Sequence, residues 1–164
     1  MDPFISGVKK QFLNYKLLGE KAMSQLAPEQ LFVQPDENSN SISVIIKHMS
    51  GNMLSRWTDF RTTDGEKTGR NRDEEFLESK LNKEILLQKW DAGWECLFNA
   101  LDSIDTKDLS SIIYIRNEGL TISNAIIRQL AHYTYHVGQI VYCAKQLKAG
   151  KWESLSIPKD TSAQ

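Results

Sequence analysis

The sequence predicts an all-α fold: a four-helix bundle with a short β-hairpin-like segment before its last long helix. Two observations carry this. Four stretches place apolar residues at helical spacing, and one β-branched run ends in a turn signal. The length of 164 residues suits a single domain over 1–164, with no internal repeat.

The first helix is expected from about Asp2 to Leu26, with Phe4, Val8, Phe12, Tyr15 and Leu18 on one face. Pro28 and the run Pro35-Asp36-Glu37-Asn38-Ser39-Asn40 break it. The polar residues Asn40 to Ser43 offer N-caps for a second helix, about Ser41 to Thr62, striped by Ile42, Ile46, Met49, Met53, Trp57 and Phe60. The charged, glycine-punctuated segment Thr63 to Arg72 reads as an exposed loop. A third helix is expected over about Asn82 to Ser103, carrying Leu86, Trp90, Leu97, Leu101 and Ile104. Ser110 to Arg116, followed by Asn117-Glu118-Gly119, reads as a strand and turn. The fourth helix runs from about Thr121 to Lys148 and stops at Gly150. The tail from Lys151 to Lys159 has apolar anchors without a helical period. The long connection Thr63 to Leu81 argues against simple up-down-up-down wiring.

A net charge of −1, with acidic and basic residues interleaved, gives no electrostatic footprint for nucleic acid or an anionic membrane. No apolar run approaches the roughly 20 residues of a membrane span. The start, Met1-Asp2-Pro3-Phe4, has no secretory-signal character. Cys96 and Cys143 are not in a CxxC spacing, so reduced cysteines and a cytoplasmic setting are expected. Trp57, Trp90 and Trp94 read as core.

The three histidines fall in two helical segments. His132 and His136 are four residues apart, so their imidazoles share one helix face. His48 lies far upstream, in Ile45-Ile46-Lys47-His48. At about 100° per residue, Ala125, Arg128, His132, His136, Gln139 and Cys143 cluster near one line, with the apolar face centred roughly 130° away. Val44, His48, Asn52 and Ser55 form a similar stripe on the second helix. Both stripes are expected to flank the core, and two readings stand: solvated polar faces, or a cleft that closes three imidazoles on one cation. Three histidines with an open position are the ligand set of some catalytic metal sites. Tyr133 stands where a zincin motif has its glutamate, which disfavours a zincin peptidase.

The chain resembles the DinB-like superfamily, whose relatives include metal-dependent bacillithiol and mycothiol S-transferases. The resemblance covers nearly the full chain. It is carried by Ile45-Ile46-Lys47-His48 with Gly51-Asn52, and by Arg128-Gln129-Leu130-Ala131-His132-Tyr133-Thr134-Tyr135-His136-Val137-Gly138-Gln139-Ile140-Val141. The turn Ile115-Arg116-Asn117-Glu118 and the tail Trp152 to Pro158 resemble a subgroup whose activity is not established. The resemblance implies a four-helix bundle with an unusual helix order, a homodimer, and a metal triad of His48, His132 and His136. Zinc or nickel is expected, since imidazole suits both.

A metal site of this kind supports transfer of a small-molecule thiol to an electrophilic substrate. A metal-dependent hydrolase and a non-enzymatic metal-binding stress or interaction protein are the alternatives. No carboxylate lies within a turn of a histidine on its own helix, which favours thiol transfer over hydrolysis. Arg128 can hold a substrate carboxylate, Asn52 a ligand, and Gln139 can orient an imidazole. Each can equally be an ordinary surface or inter-helix contact. Arg116 and Glu118 read equally as a salt-bridged hairpin, and Tyr133 and Tyr135 as core or interface packing.

Overall fold

The computed structural model describes residues 2–77 and 81–157. Its four long helices are α1 (Pro3–Ser24), α2 (Ile42–Trp57), α4 (Lys83–Asp102) and α5 (Ile122–Lys148); α3 (Arg72–Glu75) is a single turn. Strands β1 (Ile112–Ile115) and β2 (Glu118–Thr121) form an antiparallel hairpin directly before α5.

Side chains start all four long helices, α5 through Thr121 Oγ1, which accepts from the Asn124 N–H at 3.2 Å. Asp2 accepts from the backbone N–H of Phe4, Ser41 from Val44 and Asn82 from Ile85, each occupying a donor the first turn leaves open. Pro3 follows Asp2 at the first helical position, where a missing N–H costs nothing.

Helix α2 ends at Trp57, five residues before the expected Thr62. Asp59 takes a left-handed conformation (φ 47°), which no helix continues through. Phe60 stays buried at 6 % exposure, so the apolar stripe outlasts the helix that carries it.

α2 packs on α4 and α5, and α1 packs on α5 and α4. The ring order is therefore α1, α4, α2, α5, with α1 facing α2 across a diagonal. At the centre, Phe12, Trp94 and Tyr133 meet at ring distances of 6.0–6.3 Å, and Trp90 meets Trp94 at 5.4 Å. Trp57, Trp90 and Trp94 are all core. Gly93 lets α4 approach α2: a Cβ there would sit 3.0 Å from the Ser50 Cα.

Residues 63–77 fold back over α2, so the expected exposed loop Thr63 to Arg72 is only partly exposed: Thr63, Thr68, Gly69, Asn71 and Arg72 face solvent, and Gly65 is buried. The Arg70 side chain is 6 % exposed and that of Glu75 10 %. Gly65 N–H donates to the Tyr114 carbonyl at 2.8 Å, tying this segment to the hairpin. The hairpin turn has Arg116 at φ 56° and Asn117 at φ 61°, a primed turn. Asn tolerates that region, whereas a left-handed Arg costs about 1–2 kcal/mol. The Asp64 carboxylate offsets this by accepting both turn amides, from Arg116 at 2.9 Å and Asn117 at 2.8 Å.

The tail is pinned by Gln25, whose amide exchanges hydrogen bonds with the Glu153 backbone at 2.8 and 3.0 Å. Trp152 and Leu155 pack on the core, but the expected anchor Ile157 is exposed. Pro158 and Lys159 lie outside the described residues. No helix among the described residues is long and apolar enough to cross a membrane.

Candidate metal centre

α2 and α5 are neighbours in the ring, and their histidine faces meet. His132 Nε2 lies 3.4 Å from His48 Nε2 and 3.0 Å from His136 Nε2. The three ligand nitrogens lie within 4.8 Å of one another, a group that can hold a metal ion. Tetrahedral coordination with metal–nitrogen bonds of about 2.0–2.1 Å puts ligand nitrogens about 3.3 Å apart. The triad fits such an ion.

The other ring nitrogens settle two of the tautomers. His136 Nδ1–H donates to Gln139 Oε1 at 2.7 Å, and the Gln139 amide nitrogen donates to the Tyr135 hydroxyl at 3.1 Å. His48 Nδ1–H donates to Glu75 Oε2 at 3.1 Å. Both bonds leave the Nε2 lone pair facing the centre. A partner that fixes ring orientation in this way is the usual support of a metal-binding imidazole.

Glu75 is itself clamped. Arg70 donates to both its oxygens, Nε to Oε1 and a terminal nitrogen to Oε2, each at 2.7 Å. Burial opposes ionisation of Glu75, but the Arg70 and His48 hydrogen bonds overcome it and hold the carboxyl below its ordinary value. Space for this carboxylate comes from Gly51, three residues past His48 on α2: a Cβ there would overlap Glu75 Oε1. An interior helical Gly costs about 0.8–1.0 kcal/mol against Ala, and here it lets the carboxylate reach the imidazole. Phe76 covers the His48 ring at 4.9 Å.

The two α5 histidines are poor in protons. Burial first, then the His136, His48, Arg56 and Arg70 charges, depress His132 to about 3. Burial also lowers His136, against the hydrogen bond to Gln139. Neutral imidazoles are the form that binds metal.

α2 departs from the expected flanking stripe. Fourteen of its sixteen residues are buried, His48, Asn52 and Ser55 among them, because α4, α5 and residues 63–77 cover it on all sides. On α5 the buried face is headed by Ile126, Gln129, Tyr133, Val137 and Ile140, centred about 100° from His132 rather than 130°. Leu130 and Val141 lie at its half-buried margin.

Asn52 lies beside the triad, but its carbonyl is already engaged. The Tyr133 hydroxyl donates to it at 3.0 Å and accepts from Trp57 Nε1 at 3.3 Å. Tyr133 is thus core with a polar end at the site, whereas Tyr135 is 62 % exposed and does not belong to the core. The expected hairpin pair also resolves differently: Arg116 reaches Glu66 at 2.8 Å, and Glu118 lies 3.8 Å from Arg128. Burial raises the Cys143 thiol, against a nucleophilic role.

A cleft of about 270 Å³ opens on His48 and His132. Its walls are His48, His132, Asn52 and Gln129, with Arg56, Arg70, Arg72, Arg116 and Arg128. Gln129 Oε1 and Arg56 Nε are buried there without a hydrogen-bond partner. A larger groove of about 820 Å³ continues along the same face of α5, past Tyr135, Gln139 and Cys143, but no histidine lines it. The chemistry belongs to the smaller cleft.

Sequence reasoning missed Glu75, Arg70, Arg56 and Gln129. Two had a local signal. Arg56 stands eight residues after His48 on the stripe that includes Asn52, and Gln129 stands three before His132. Glu75 and Arg70 had none on their own helix, although Gly51 inside an apolar helix marks a close approach.

No curated protein matches the chain. The model of the family described as Protein of unknown function (DUF1572), which lies in the DinB-like superfamily, matches residues 1–161. With that match spanning nearly its whole length, the chain belongs to the DUF1572 family of the DinB-like superfamily.

Proposed function

We propose that His48, His132 and His136 hold one divalent ion, zinc or nickel, and that the site serves a metal-dependent thiol S-transferase. The convergence of three Nε2 atoms, two of them with their Nδ1–H engaged by Glu75 and Gln139, carries this reading. An all-imidazole donor set suits either ion. When bound, such an ion supplies Lewis acidity that lowers the pKa of a coordinated thiol or water.

The chain's own residues divide the remaining work. Glu75 and Gln139 fix the imidazoles. Asn52, held by Tyr133, presents its amide edge to the cleft. Arg128, half-exposed at the cleft wall, holds an anionic group of the thiol or of the electrophile. Among the described residues no carboxylate lines the cleft, and Glu75 is spoken for by Arg70 and His48. This supports a nucleophile that needs no separate general base, as a thiolate does. The partners are then a small-molecule thiol and an electrophilic substrate, in a protein we expect to be a homodimer.

The test begins with metal analysis of protein purified without an affinity tag, wild type beside the triple-histidine variant. Near-stoichiometric zinc or nickel in the wild type alone is expected. Equal trace metal in both would overturn the triad. Thiol consumption with a halobimane electrophile, lost in His136→Ala with helicity intact, is the second expectation. Turnover with water alone and no thiol requirement would replace transfer by hydrolysis.

A further inference from the structure

The arginines of the cleft exceed what the metal reading uses. Five guanidiniums line it, and three carboxylates answer them. Glu66 is shared by Arg56 at 3.1 Å and Arg116 at 2.8 Å, with Arg70 at 3.6 Å. Glu75 is taken by Arg70, and Glu118 reaches Arg128 only at 3.8 Å from an exposed position. Arg72 lies over the Phe76 ring and has no ion pair among the described residues. The balance is two positive charges, facing a small concave space.

Two further observations make this a binding wall rather than a solvated patch. Gln129 is 3 % exposed, lines the cleft, and leaves its Oε1 without a donor, a deficit that a bound hydroxyl or amide would fill. Arg116 holds its place in the left-handed region, where Gly or Asn would sit without strain. The Asp64 bonds that offset this strain fix the turn and so set the guanidinium at the cleft mouth.

We propose that the cleft is a subsite for a doubly charged oxyanion, a dicarboxylate or a phosphomonoester, carried by one of the substrates. Arg72, Arg116 and Arg128 hold its oxygens, and Gln129 accepts a hydrogen bond from a neighbouring hydroxyl or amide of the same ligand. The cleft volume, about 270 Å³, suits a compact group rather than a drug-sized ligand. The inference deepens the transferase reading and rests on it for the cleft's role as the substrate's seat. The charge complementarity stands on the arginines alone.

The test titrates the full chain, metal-loaded and chelator-stripped, with succinate, inorganic phosphate and acetate at matched ionic strength, followed by calorimetry. Either dianion is expected to bind at least about tenfold more tightly than acetate, in stripped protein as well as loaded. Arg128→Gln and Arg72→Gln should each weaken it by about tenfold, the loss of one charge-assisted hydrogen bond. Lys145→Gln, an exposed charge on α5 outside the cleft walls, should leave it unchanged. The stronger of succinate and phosphate names the ligand class. Acetate binding as well as the dianions, an equal loss in Lys145→Gln, or binding that vanishes on stripping would each overturn the proposal. Dianion binding by a chain that takes up no metal would sink the triad and keep the cleft. Metal uptake without dianion binding would do the reverse.

Discussion

α5 brings His132 and His136 to the site four residues apart on one unbroken helix, with Gln139 three residues further on supporting His136. The support for His48 has a different origin. Glu75 lies 27 residues downstream, on a one-turn helix in a charged segment, and is held by Arg70 from the same segment. On the α5 side, ligand and support follow from helical spacing. On the α2 side the ligand follows from spacing, and its support comes from a fold-back that no periodicity announces. A binding site can thus be read where its parts share an element, and hidden where a tertiary contact completes it.

Variants can break or sharpen that contrast. The largest effect belongs to a ligand itself: His136→Ala should weaken zinc binding by more than about 100-fold, beyond the range for supporting residues. Chelator competition measures it, and an unchanged affinity would remove His136 from the ligand set. Glu75→Gln should come next, at about 10–100-fold, because it also leaves Arg70 facing a neutral amide. Gln139→Ala should fall near the lower end, about tenfold, since a water can replace an exposed partner more easily than a buried one. A Gln139 loss larger than the Glu75 loss would invert the comparison.

Gly51→Ala separates helix stability from site geometry. Alanine favours the helix by up to about 1 kcal/mol, yet its Cβ takes the space of the Glu75 carboxylate. The expected outcome is a protein no less helical that binds zinc several-fold more weakly.

The smallest effect concerns how the fold-back is tied to the hairpin. Backbone N–H donors from Asn117, Glu66 and Arg116 hold the Asp64 carboxyl below its ordinary value. A depressed carboxylate stabilises the fold above its unfolded pKa, near 3.9, and that contribution fades as pH falls through the folded value. Asp64→Ala should therefore destabilise only modestly at pH 7, by less than about 1 kcal/mol, since solvent screens this carboxylate. In urea unfolding, the gap from wild type should close as the pH drops below about 4.

The sequence made the bundle legible because apolar residues at Phe12, Met49, Trp90 and Val137 recur with the period of a buried helix face. It made the histidine triad legible for the same reason. The end of α2 was not legible, because Phe60 keeps the apolar rhythm after Asp59 has left helical geometry. The exposed-loop reading of Thr63 to Arg72 holds only in part, because charge density looks like solvation until the partners of Glu66 and Arg70 are seen. Glu66, Arg70 and Glu75 are charged and nearly all paired, and pairing is a tertiary fact.

The distance along the chain between His48 and His132, 84 residues, has a kinetic consequence. An isolated α5 presents two imidazoles, and the third arrives only after its ring neighbour α2 has docked on it. Closing so long a loop is slow relative to forming either helix. Tight ion uptake should therefore keep time with the docking of α2 on α5, and the rate at which a refolding chain captures zinc becomes a clock for the closing of that seam.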